Sequence, residues 1–180
     1  MSLLIQYTIL YASVLILVAL GGCFSEHSGV INLGLEGIMV MGALGGALTM
    51  KYLEGSSPVT IVILTIIAAA VTGLVFSALL AVACINFKAD QTIVGTALNM
   101  LGLAAATVIV KAINTAENPD NVSATVQYIA QKKAFLVNIG DFTFNWMMLV
   151  ALVILIAAYI VLYKTKFGLR LMACGEHPQA

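Results

Sequence analysis

Ser25-Glu26-His27-Ser28 sets two hydroxyls, a carboxylate and an imidazole in consecutive positions, the side-chain types of nucleophilic hydrolysis. That chemistry needs base and nucleophile to converge on one reacting atom. Neighbouring residues on any regular element point apart, so His27 reads as an interfacial residue and not as a base. Cys23 and His27 are spaced to share one helical face, but two donors fall short of the ligand set that a zinc site needs. No further donor nearby completes it. The chain also has no G-x-x-x-x-G-K-[ST] run, so it carries no phosphate-cradling loop, and any ATP-driven work falls to a partner subunit. Nothing in these residues calls for a cofactor or for enzymatic activity.

Other polar residues stand out by being embedded in apolar sequence. In Gly29-Val-Ile-Asn-Leu-Gly-Leu-Glu-Gly37, the glycines at 29, 34 and 37 each weaken a helix by about 1 kcal/mol relative to alanine. Glu36 sits there between apolar flanks. An ionised carboxylate within hydrocarbon is costly and usually faces a cavity or a partner, and Gly-interrupted segments let transporters present backbone and half-helix ends to a substrate. Two interpretations stay open. Either Asn32 and Glu36 face a path, or the glycines, with Gly42-x-x-x-Gly46, only let helices pack closely and Glu36 lies at the interface. Asn99, in Gly95-Thr-Ala-Leu-Asn-Met, is likewise either an interhelical hydrogen-bonding group or a path residue.

The elements that must position these residues follow from composition. Of 180 residues, 62% are hydrophobic and 9% charged, with 8 Lys+Arg against 8 Asp+Glu. Soluble domains are nearer half apolar and a quarter charged, so a soluble globular chain and a disordered one are both excluded. Zero net charge lacks the basic footprint that nucleic-acid binding requires. Stretches free of Asp, Glu, Lys and Arg run over Met1–Ser25, Gly55–Phe87, Gln91–Val110 and Phe142–Tyr163, each comparable to the roughly 20 residues of a membrane-crossing helix. A shorter one, Gly37–Met50, reaches that length only when Leu33–Gly37 is included.

The expectation is an all-α polytopic transmembrane bundle of five spans, at about 7–24, 34–52, 59–87, 92–112 and 146–163, with a break possible in the second. A β-barrel would need alternating polarity, which runs such as Val59–Ala70 lack. The third run exceeds a bilayer's needs, so it should tilt or extend beyond the headgroups. The first lacks both a basic N-terminal flank and a cleavage-site pattern, so it reads as a permanent anchor. Cys23, Cys84 and Cys174 are too few and scattered for a disulfide framework and read as packing residues.

Residues 114–145 form the one long polar connection, with a turn signal at Asn118-Pro-Asp-Asn121 and an expected small helix or hairpin after it. Lys164, Lys166 and Arg170 make the densest basic cluster at a span end, which places the 164–180 tail in the cytoplasm and the long loop outside. In that tail Gly175 is suited to end one helix and Pro178 to begin the next.

Three stretches together, 25–37, 90–99 and 168–180, resemble the membrane permease subunits of bacterial ABC importers in the branched-chain amino acid and ribose permease superfamily. The match is closest to its simple-sugar and nucleoside branch. The resemblance covers essentially the whole chain, as one permease domain corresponding to the N-terminal part of such a subunit. It implies a multi-pass protein of the bacterial cytoplasmic membrane that acts with a second permease subunit, a cytoplasmic ATP-binding subunit and an extracytoplasmic substrate-binding lipoprotein, all within membrane lipid. It implies that the element beginning near Gly29 is a broken helix by the path, that Asn32, Glu36 and Asn99 line or shape that path, and that Arg170, Gly175, Glu176 and Pro178 belong to the ATPase-coupling region. Family members continue beyond the point corresponding to Ala180, so the chain is expected to be a portion of a permease. The alternative is a small membrane scaffold that binds other helices through its Gly-rich faces.

Overall fold

The computed structural model describes residues 2–53, 55–126, 134–139 and 142–177. Six helices dominate: α1 (Ser2–His27), α2 (Leu35–Tyr52), α3 (Pro58–Ala81, continued by a π-turn at Val82–Asn86), α4 (Gln91–Glu117), α5 (Met147–Lys164) and α6 (Lys166–Glu176). A short antiparallel hairpin, β1 (Leu136–Ile139) and β2 (Phe142–Asn145), precedes α5, with Leu136 opposite Asn145 and Ile139 opposite Phe142. Four of the described helical segments are long and apolar enough to cross a bilayer: Leu4–His27, Pro58–Asn86, Gln91–Glu117 and Met147–Lys164.

The second expected span differs from the other four. α2 is one unbroken helix of 18 residues, but Glu36, Lys51 and its glycines dilute its apolar content, so composition alone does not mark it as a span. The break lies before α2 and not within it. Non-helical residues separate α1 from α2, and Gly29 turns the chain with φ +82°, a backbone region that disfavours a side chain. The long third run is indeed longer than a bilayer needs, and it ends in the π-turn. α4 passes Asn114 to Glu117, so the loop opens at Asn118 and not at Asn114. Gln131, Lys132 and Lys133 of that loop lie outside the described residues.

The chain forms two compact units, Met1–Asn32 with Phe135–Ala180, and Leu33–Ala134. In the first, α1 and α5 run parallel. Thr8, Ile9 and Ile16 lie beside Met148, Leu152 and Leu155, and further along the His27 ring meets the edge of Tyr163 at 6.1 Å. α6 starts directly after α5 because Thr165 caps it: the Thr165 hydroxyl donates to Val161 O and accepts from Gly168 N at 3.3 Å. Gly168 must be glycine, since a Cβ there would overlap the Leu162 carbonyl.

In the second unit, α2 lies between α3 and α4. Gly42 packs toward Ala69 and Gly73, Gly45 toward Thr72, and Gly46 toward Ala69 and Thr65, so α2 and α3 are antiparallel. Leu44, Ala106 and Val110 form an apolar core with Val40, Met41 and Leu48 around it. At the far end Lys51 donates to both Glu117 carboxylate oxygens, at 2.6 and 2.7 Å. α2 and α4 therefore run parallel from Gly37 and Asn99 to Lys51 and Glu117.

Candidate functional site

The N-terminal end of α2 is built from backbone packed on backbone. A Cβ on Gly37 would lie 2.6 Å from Leu98 O and 2.9 Å from Asn99 Cα, and one on Gly102 would lie 2.7 Å from Gly37 Cα. One on Gly95 would reach Leu33 Cβ at 2.9 Å and Gly34 N at 3.1 Å. Helices in lipid associate through such close approach because no hydrophobic difference drives them together. Gly34 is the N-cap residue of α2 and supplies no side-chain hydrogen bond.

Asn99 supplies the missing bonds. Its Oδ1 accepts from Gly37 N at 2.7 Å and its Nδ2 donates to Leu33 O at 2.7 Å. An N–H on one side and a carbonyl on the other leave only one orientation for the amide. One half-exposed side chain thus satisfies a first-turn donor of α2 and a carbonyl of the segment entering it, groups that hydrocarbon would otherwise leave unpaired. The structure brings Asn99, Gly34 and Gly37 together with Gly95 and Gly102. Glu36 stands exposed in the same first turn, where the helix dipole favours a carboxylate. Asn32 is half-buried and belongs to the other compact unit. Gly42 and Gly46 face α3, away from this junction.

The depth of the junction follows from the neighbouring helices. Lys88 and Asp90 flank the α3–α4 turn, and the next charge in α4 is Lys111. Asn99 lies about 12 Å of helix rise beyond Gln91, in a hydrocarbon layer about 30 Å thick. Ile85, Phe87 and Ile93, beyond the start of α2, are exposed apolar residues suited to lipid. α2 therefore begins part-way along the length that α3 and α4 cover, and Glu36 with it.

A second cluster occupies the first unit. Gly175 lies in the last turn of α6, which ends at Glu176, so it does not terminate the helix as its residue type suggested. It is instead the contact point with the turn after α1: a Cβ there would lie 2.5 Å from His27 O and 3.0 Å from Gly29 N. Glu26, His27, Met172, Gly175 and Glu176 line an open groove of about 570 Å³. His27 Nδ1 donates to Cys23 O at 2.7 Å. The Ser25 hydroxyl donates to Val30 O and the Ser28 hydroxyl to Ser25 O, so both close a turn and neither addresses His27. Arg170 is exposed on α6, and Pro178 lies outside the described residues. Among the described residues no group of three His, Cys, Asp or Glu side chains could hold a metal ion.

The residues missed in the sequence are Asn114, Gly95 and Gly102. Asn114 is 1% exposed, and its Nδ2 donates to Ser123 O and Thr125 O, both at 2.9 Å, which ties the following loop to α4. For Gly95 and Gly102 a signal existed, since they share one helical face with Asn99 between them.

Apolar membrane-length helices and glycine-mediated crossings define a polytopic membrane protein. The chain belongs to the family described as the branched-chain amino acid transport system permease component, whose model matches residues 4–180. It is a multi-pass integral protein of the bacterial plasma membrane. It is 36% identical over 189 residues to the guanosine ABC transporter permease protein NupQ of Bacillus subtilis, a match covering all of this chain and 58% of that protein. It is 34% identical over 186 residues to the nucleoside ABC transporter permease protein NupC of Lactococcus lactis subsp. cremoris, again over the whole chain and 58% of the relative. The chain thus spans a little over half the length of these curated relatives. No solved structure matches it.

Proposed function

We propose that this chain forms part of the translocation path in a permease subunit of an ATP-driven importer for nucleosides or simple sugars. The observation that carries the proposal is the start of α2 inside the membrane layer, with Glu36 exposed beside it and Asn99 holding the helix end. A charged side chain near the bilayer centre costs about 2.5–3.5 kcal/mol on insertion scales. Such a cost is borne where the group meets a water-filled path or a partner, and interrupted helices at mid-membrane are how transporters arrange it. Asn99 acts here by positioning α2, Glu36 faces the solute, and Asn32 lies on the segment leading in. The relatives' names, guanosine and nucleoside permeases, support the substrate class.

The chain acts with a second permease subunit, a cytoplasmic ATP-binding subunit that hydrolyses ATP, and an extracytoplasmic substrate-binding lipoprotein. Arg170, Gly175, Glu176 and Pro178 belong to the surface that meets the ATP-binding subunit, at the cytoplasmic end marked by Lys164 and Lys166. Support comes from permease-family membership and from the groove that Gly175 and Glu176 share with Glu26 and His27. The test is Glu36→Gln in the full-length permease. Uptake should fall about tenfold or more, as expected for losing a charge-assisted hydrogen bond of 1.5–3 kcal/mol, with membrane insertion unchanged. Wild-type uptake by the variant would refute a path role for Glu36.

A further inference from the structure

We infer that α6 lies along the membrane surface across the ends of two spans, and that Lys164 and Lys166, with Phe167 beside them, form a binding surface for the headgroups of anionic phospholipids. The position of α6 follows from its two close contacts. α1 and α5 are membrane-length helices that run parallel, so His27 and Lys164 end on the same side of the bilayer. α6 touches α5 at Gly168, against the Leu162 carbonyl, and α1 at Gly175, against His27 O and Gly29 N. Gly168 and Gly175 are two turns apart, about 10 Å of helix rise, which matches the roughly 8–10 Å between the axes of packed helices. The axis of α6 therefore runs from one span end to the other, in the plane of the interface and not across the layer.

The side of α6 turned to the spans carries buried Gly168 with half-buried Leu171, Met172 and Gly175. Periodicity gathers Lys166, Phe167 and Arg170 on one open flank, where all three are exposed. Tyr163 and Lys164, the last residues of α5, are exposed at the same level. Neither lysine forms an ion pair among the described residues. The acidic side chains described in this unit are Glu26 and Glu176, which line the groove at the far end of α6, about 15 Å of helix rise from Lys166. The charge of the lysines is therefore left for a ligand to balance. A phospholipid leaflet supplies phosphate anions at the level where α5 leaves the bilayer, and beneath them an apolar boundary suited to the rings of Tyr163 and Phe167. An acidic protein surface would answer the charges alone, whereas Phe167 is 59% exposed beside a span end. Arg170, one turn on, borders the surface assigned above to the ATP-binding subunit.

The test uses the complete permease, without its ATP-binding subunit, in phosphatidylcholine nanodiscs. Its cysteines are replaced by serine, and Phe167→Cys carries bimane, a fluorophore quenched on contact with brominated acyl chains. Brominated phosphatidylglycerol at low mole fraction should quench the label more strongly than brominated phosphatidylcholine at the same fraction, and high salt should erase the difference. Each lysine near the surface is worth roughly a fivefold preference. Lys164→Gln combined with Lys166→Gln should therefore raise the phosphatidylglycerol fraction needed for half-maximal quenching about five- to twenty-fivefold, while the two Lys→Arg changes should keep the starting value. Equal quenching by the two lipids, or an undiminished preference in the double Gln variant, overturns headgroup binding at these lysines. No quenching by either lipid overturns the interfacial position of α6. Weaker binding of the ATP-binding subunit by the double Gln variant, with no lipid preference before the substitution, assigns the flank to an acidic protein surface and overturns the inference.

Discussion

Replacing Gly37 by alanine tests the claim that the start of α2 is held by backbone contact. The new methyl would lie 2.6 Å from Leu98 O and 2.9 Å from Asn99 Cα, and neither atom can rotate aside. Ordinary contact needs several tenths of an ångström more, so α2 and α4 must part. The separation also stretches the 2.7 Å bond from Gly37 N to Asn99 Oδ1. Overpacking costs about 1–3 kcal/mol and the weakened hydrogen bond about 1 kcal/mol, offset by about 1 kcal/mol of helix propensity gained over glycine. The net is a destabilisation of roughly 1–3 kcal/mol.

Gly73→Ala is the matched control. It is the same chemical change in a helix interior, but its Cβ would lie 3.9 Å from the nearest atoms of Ile38, an ordinary contact. Only the propensity gain of up to about 1 kcal/mol remains. The two variants of the full-length permease should therefore differ by about 1–4 kcal/mol in equilibrium unfolding in mixed micelles, with Gly37→Ala the less stable. Equal stabilities, or a stabilised Gly37→Ala, would show that α2 and α4 do not meet at this point.

Two further outcomes follow from the same structure. Asn114→Ala leaves Ser123 O and Thr125 O without their shared donor, so it should destabilise the loop by about 1–3 kcal/mol; limited proteolysis should cut within 118–126 several times faster, and an unchanged cleavage rate would contradict the anchor. Lys51→Met and Glu117→Gln, alone and combined, should give a coupling energy of about 0.2–1 kcal/mol that shrinks as salt is raised, because the pair is partly exposed; zero coupling at low salt would mean the pair contributes nothing to the α2–α4 contact.

The membrane class and the span positions were legible because hydropathy is a local property. Each charge-free stretch carries its own signal, and Pro58 to Asn86 or Met147 to Lys164 needs no distant residue to become a helix in lipid. α2 was harder to place for the same reason. Lys51 and the glycines look unfavourable when only neighbours in sequence are counted, whereas their compensation comes from Asn99, Glu117, Thr72 and Gly102 on other helices. Asn114 gave no sign of its role, since its partners are carbonyls that any residue type would present.

The sequence by itself therefore determined that this chain lives in a membrane, where its helices run and which motifs tie it to a permease family. Only the tertiary structure decided that Asn99 pairs with a backbone donor 62 residues away and that Gly175 meets the turn at Gly29. These facts depend on the phase and depth at which one helix meets another. Burial of apolar length drives insertion without specifying either, and the close approach of glycines and a few directional hydrogen bonds then select the arrangement.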